Sequence, residues 1–183
     1  MVSLTMLWLP ILVSAVFLFI AANILWMALP FWHGKDYSKL PDEKTVLDAL
    51  SAAKSGQYIV PRVDWKKLTP EERTAMQNGP TAYMLVRNPG KFALGKGLVL
   101  YFLYMLVITA FVGCLAGHVL PIGADYRHVF HVAGPIGFLA FAFRGVSDSI
   151  WYGKPWLVSI KEMIDGLIYA GLIAGTFGWL WPR

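Results

Sequence analysis

The sequence predicts an all-α membrane protein: a bundle of four transmembrane helices, with a small mixed α/β subdomain in the loop between helices 1 and 2. Two observations lead there. No charged side chain precedes Lys35, and residues 97–124 form a second uncharged run. Across the 183 residues, 57% are hydrophobic and only 15% charged, with mean hydropathy +0.54. Soluble domains carry about a quarter charged residues, and disordered chains have far less apolar surface. The expected organisation is helix 1 over residues 1–32, a soluble loop over 33–96 and helices 2–4 over 97–183.

A crossing helix needs about 20 apolar residues at about 1.5 Å each. Helices 1 and 2 are expected near 5–31 and 97–119, where the uncharged runs are ample. A cleaved leader is not expected, because the first run lacks a basic start and exceeds about 7–15 apolar residues. Helices 3 and 4 are expected near 126–149 and 157–181. Only 16 uncharged residues separate Arg127 from Arg144, and 17 separate Asp165 from Arg183, so each of these spans takes a charge to its boundary.

The loop carries its own local signals. Asp42 to Leu50 places Val46, Leu47 and Leu50 on one helical face behind an acidic first turn. Tyr58–Val63 and Thr81–Val86 read as strands, with Asn88-Pro89-Gly90 as a turn. Thr69-Pro70-Glu71-Glu72 is a helix start: Thr as cap, Pro in the first turn, acids after it. Two short helices and two strands are too slight for a core of their own.

Eleven of the 16 Lys and Arg residues lie between Lys35 and Lys96, interleaved with seven acids. That mixture excludes a nucleic-acid surface. By the positive-inside rule it places the long loop in the cytoplasm and both termini in the periplasm. Trp8, Trp26, Trp32, Trp151, Trp156, Trp179 and Trp181 sit near the expected membrane boundaries.

Three groups of residues bear on function. Arg144 lies 17 positions after Arg127, and Asp165 lies 16 before Trp181, so both sit about 24–26 Å from the outer edge. Asp148 follows Arg144 by one turn. An intramembrane ionic cluster of Arg144, Asp148 and Asp165 is therefore expected, either fixing helix register or relaying ions. Lys161 and Glu162 are expected to be solvated interfacial anchors. The second group, His118, His128 and His131 with Asp125, has the chemistry for a metal or haem site, or for ordinary interfacial hydrogen bonds. The third comprises Gly113 and Gly117 on helix 2 and Gly171, Gly175 and Gly178 on helix 4, as close-packing positions. Pro135 is expected to kink helix 3, and Asn23 to bond across helices. One cysteine, Cys114, excludes a disulfide framework. No complete catalytic set is present, and no cofactor is required.

Three patches carry a resemblance. They are Leu29-Pro30…His33…Asp36-Tyr37…Leu40-Pro41-Asp42-Glu43, then Asp148-Ser149-Ile150-Trp151…Gly153…Pro155-Trp156, and Asp165-Gly166-Leu167-Ile168-Tyr169-Ala170…Gly175-Thr176-Phe177-Gly178-Trp179-Leu180-Trp181-Pro182. The chain resembles a group of small, uncharacterised bacterial inner-membrane proteins with four spans and a soluble loop after the first. The resemblance implies that topology and location, and attaches no activity or site residues. Taken together, these features lead to the expectation of a non-enzymatic packing or interaction subunit, partnered by the bilayer and by itself or another membrane protein. The alternatives are a transporter component and a metal or haem protein.

Overall fold

The computed structural model describes residues 1–64, 66–87 and 93–183. It is mostly helical and divides into two units: Met1–Ser38 with Ala93–Arg183, and Lys39–Phe92. His33 to Ser38, expected to open the soluble loop, belong to the helical unit.

The helical unit begins with α1 (Trp8–Asn23), which continues through a π-helical turn (Ile24–Ala28) marked by the Leu29 N–H bond to the Ile24 carbonyl. Pro30 forces the change. A proline has no N–H to give a continuing helix, and it pushes Leu29 out of helical geometry, here to φ −110° and ψ 80°. The chain turns and restarts as the one-turn α2 (Pro30–His33). The sequence expectation of one uninterrupted helix to residue 31 is thus corrected at Leu29.

After the second unit come α5 (Leu94–Val119), α6 (Tyr126–Ala142), α7 (Val146–Tyr152) and α8 (Trp156–Leu180). Pro135 sits inside α6 without ending it, and the helix expected over 126–149 is broken at 143–145, before α7. Three stretches are long and apolar enough to cross a membrane: Trp8–Ala28, Leu94–Val119 and Tyr126–Tyr152. The fourth long helix, α8, is the most enclosed, with ten buried residues along its 25.

α8 lies along both α6 and α1, while α5 lies along α1 and α6. Phe177, Ile173, Leu7, Leu18, Met105 and Val129 fill the centre. Backbones approach most closely where α6 meets α8. A Cβ on Gly166 would stand 2.6 Å from the Ala142 Cα, and one on Gly137 would stand 2.9 Å from Ile173. At the far end, Val2 N–H bonds the Gly117 carbonyl and Trp181 Nε1–H bonds the Pro121 carbonyl, closing the bundle there.

The expected packing glycines divide. Gly113 faces Ile11 and Phe177, Gly117 faces the Val2 carbonyl, and Gly178 faces Tyr126. Gly175 touches only the Tyr126 hydroxyl, and Gly171 faces open space. Asn23 donates to the Phe19 carbonyl of its own helix, rather than to another helix as expected.

The second unit holds α3 (Glu43–Leu50), β1 (Gly56–Val60), α4 (Pro70–Asn78) and β2 (Ala82–Val86). Asp42 caps α3 by accepting from Thr45 N–H, and Thr69 and Glu72 complete a reciprocal capping box on α4. The strands pair antiparallel, Gly56 opposite Val86 and Val60 opposite Ala82, so Pro61 falls just beyond β1. The expected Asn88-Pro89-Gly90 turn lies outside the described residues. No described residue of this unit is buried.

Candidate functional site: a buried ionic network where the first helix ends

The break at Pro30 carries Trp32 and His33 from the end of the first span onto α8. His33 is 6% exposed and Asp165 2%, so both ionisable side chains are enclosed. The His33 Nε2 and Nδ1 atoms lie 2.8 Å from Asp165 Oδ2 and 2.5 Å from Asp36 Oδ2, respectively. Trp32 Nε1–H donates to the other Asp165 oxygen at 2.7 Å. Lys161 Nζ donates to Asp36 Oδ1 and to the Trp32 carbonyl, both at 2.6 Å. Trp26 stacks on the imidazole, with ring centroids 3.9 Å apart.

The chemistry of this chain follows from counting protons. Each ring nitrogen of His33 faces a carboxylate oxygen, so each contact needs a hydrogen between the two atoms. Both carboxylates also accept from a second donor, Asp165 from Trp32 and Asp36 from Lys161. An imidazolium at His33 supplies both of those hydrogens at once. Lys161, Asp36, His33 and Asp165 then alternate in charge and sum to zero. That balance is what makes burial tolerable, since an unpaired charge there costs several kcal/mol. Burial alone would push the Asp36 carboxyl up. The hydrogen bonds and charges of Lys161 and His33 outweigh it and hold the group below its ordinary value of 3.8.

A second pairing lies one turn away. Glu162, 8% exposed, accepts from Lys154 Nζ at 2.6 Å, and its other oxygen stands 3.7 Å from Arg144 Nη2. Arg144 occupies the break between α6 and α7. There Ser159 Oγ–H donates to the Gly145 carbonyl at 2.8 Å and meets Ser149 Oγ at 2.7 Å. Between the two pairings lies a cavity of about 30 Å³, bordered by Trp26, Tyr101, Arg144, Glu162, Asp165 and Tyr169. Its volume suits a single water molecule. The buried Tyr169 hydroxyl finds no partner in hydrogen-bond geometry. The Trp26 indole nearby is only a donor, so the hydroxyl proton lacks an acceptor in either case.

Arg144 and Asp165 both border one cavity, but they are not each other's partners. Among the described residues no ion pair joins either of them to Asp148, because the break at 143–145 takes Asp148 off the helical face that spacing alone assigned to it. Lys161 and Glu162, expected to be solvated anchors, are enclosed members of the two pairings. His33 and Asp36 were missed. Their signal was present: a His and an Asp three positions apart, flanked by Trp32, directly after an apolar run that Pro30 must bend.

The other histidines stay local. His118 bonds the Cys114 carbonyl, His131 bonds the Arg127 carbonyl, and His128 bonds Asp125. Among the described residues, no three His, Cys, Asp or Glu side chains gather as a metal site. Asp125 also caps α6, and the His128 backbone N–H, foremost among its donors, helps hold its carboxyl below the ordinary range.

No family model matches the chain, and no curated protein or solved structure shows significant similarity to it.

Proposed function

We propose that the chain is a four-span protein of the bacterial inner membrane, acting as an interaction subunit that presents its second unit to a partner. The observation that carries this reading is the bareness of that unit. It buries no described residue, while Leu47, Ile59, Val60, Tyr83 and Leu85 stand exposed. Apolar surface of this kind on a small module is covered when the module works. Within the bundle, the enclosed acids are matched by cations, so α8, about 37 Å long, can serve as the fourth span beside the three apolar stretches. Lys and Arg density supports a cytoplasmic second unit and periplasmic termini. The resemblance to small four-span envelope proteins points the same way.

The test is purification of the full chain in mild detergent, with mass spectrometry of what accompanies it. A stable partner or self-oligomer is expected, lost on Leu85→Glu. A lone monomer under conditions that preserve the fold contradicts the proposal.

A second reading, a small ion-transport component, draws on the cavity shared by Arg144, Asp165 and the unsatisfied Tyr169 hydroxyl. Under it, Asp165→Asn abolishes proton flux in proteoliposomes while yield and fold persist.

A further inference from the structure

Beside the small cavity, and sharing Trp26, Tyr101 and Arg144 with it, runs a groove of about 300 Å³ between the end of the first helix and the start of α5. Ala22, Met27, Leu98 and the rings of Trp26 and Tyr101 give it a mostly apolar wall, in which Asn23 has its amide N–H turned to the Phe19 carbonyl, and Arg144 also lines it.

Arg144 is the surplus cation of this region. Among the described residues, Asp36 is matched by Lys161, Asp165 by His33 and Glu162 by Lys154 at 2.6 Å. Among the described residues, the ion pair of Arg144 is the 3.7 Å approach to Glu162, and its side chain is 62% exposed. A guanidinium has five donors in a planar fork, so most of its hydrogen-bonding capacity is unspent. By helix rise it lies about 24–26 Å from the outer edge of the bundle, about one turn short of the opposite hydrocarbon boundary, a distance its long side chain can span to reach the headgroups.

We propose that this groove seats one acyl chain of an anionic phospholipid, whose phosphate is held by Arg144. The inference rests on the membrane reading above. The groove wall excludes a polar ligand along its length, which selects a hydrocarbon tail. The uncompensated, forked cation selects a phosphate head, since Arg and phosphate pair through two parallel hydrogen bonds. The head stays at the exposed side of Arg144, because the cavity behind it is water-sized and bordered by the carboxylates of Glu162 and Asp165. Trp26 and Tyr101 sit where amphipathic rings sit in bilayers.

The experiment titrates the detergent-solubilised full chain with phosphatidylglycerol and with phosphatidylcholine of the same chain length, reading bound lipid by native mass spectrometry. Wild-type protein is expected to bind the anionic lipid about tenfold more tightly, because the quaternary ammonium of phosphatidylcholine offsets its phosphate charge and is repelled by Arg144. Arg144→Gln should erase that preference. Leu98→Trp, which fills the groove without touching the head site, should weaken the binding of both lipids. Glycerol phosphate, a head without a tail, should not compete. Equal affinity for the two lipids in wild type overturns the proposal, as does selectivity retained in Arg144→Gln. If Arg144→Gln does not fold, Leu98→Trp decides, and unchanged lipid binding in that variant overturns the lipid seat. Extraction of the chain from membranes by alkaline washing would overturn the membrane reading itself. Lost selectivity in a chain that stays membrane-bound removes only the lipid seat.

Discussion

At the residue scale, the critical group is the His33 ring between two carboxylates. Removing one member of a buried, compensated set leaves its partner charged and alone, which costs about 3–5 kcal/mol. Asp165→Leu should therefore lower stability by roughly that amount, read as a shifted thermal midpoint in detergent. In a His33→Gln background the same substitution should cost clearly less, because the two side chains share one interaction. Asp36 sets the acid limit. Its carboxyl lies lower in the folded state than in the unfolded one, so between the two values the unfolded chain binds more protons and stability rises with pH. The contribution of Asp36 is complete above about pH 4 and is lost as pH falls through its lowered folded value. A thermal scan of wild type against Asp36→Asn should show the variant less stable near neutrality and its acid-side decline shallower. The His33–Asp36 half of this pairing had a local signal, but the link to Asp165 was not visible along the chain. His33 and Asp165 stand 132 positions apart, and no spacing rule reaches that far. What the chain offered was a count of residues from Arg127 and Trp181, which put Arg144 and Asp165 at one level, and the two do border one cavity.

At the element scale, local chemistry was legible and breaks were not. The Thr69–Glu72 capping box, the antiparallel strands and the long uncharged helices all follow from short-range rules. Each rule concerns groups within a few residues of one another. Pro30 and Pro135 look alike in sequence but act differently. Pro30 ends the first helix and swings α2 inward, whereas Pro135 passes through α6, and the helix breaks at 143–145. That break is tied to tertiary contacts from α8, with Ser159 bonding the Gly145 carbonyl. A Cβ on Gly145 would stand 2.0 Å from Glu162 Oε2. Gly166→Ala should destabilise the α6–α8 crossing by about 1–3 kcal/mol through overpacking against Ala142. Gly171→Ala meets nothing within 4 Å and should be neutral, or stabilise by up to about 1 kcal/mol through helix propensity. Thermal midpoints of the two variants check the contrast. A large loss at Gly171 in the purified protein would show that a second copy closes on that helix face.

At the scale of the whole molecule, two units divide the work by solvent. The helical unit turns large apolar side chains outward along Trp8, Phe17, Val107, Phe111, Leu139 and Leu167, and keeps matched charges within. The second unit offers apolar side chains without a core. Composition revealed the first property directly, because run length and charge spacing are sums along the chain. The bareness of the second unit emerged only from its fold. Strand alternation places Tyr58 and Val60 on one face of the hairpin and Ile59 and Leu85 on the other, and neither face is covered within the unit. All of it rests on the ionic link that closes the end of the first helix onto α8. Nitrogen-15 NMR of the histidine ring in lipid bilayers measures that link directly, using a variant with His118, His128 and His131 replaced by Gln so that His33 alone reports. Near neutral pH, both ring nitrogens should carry protons and both should show hydrogen bonding to carboxylate. A neutral ring with one bare nitrogen, titrating freely with the solvent, would contradict the link and the assembly built upon it.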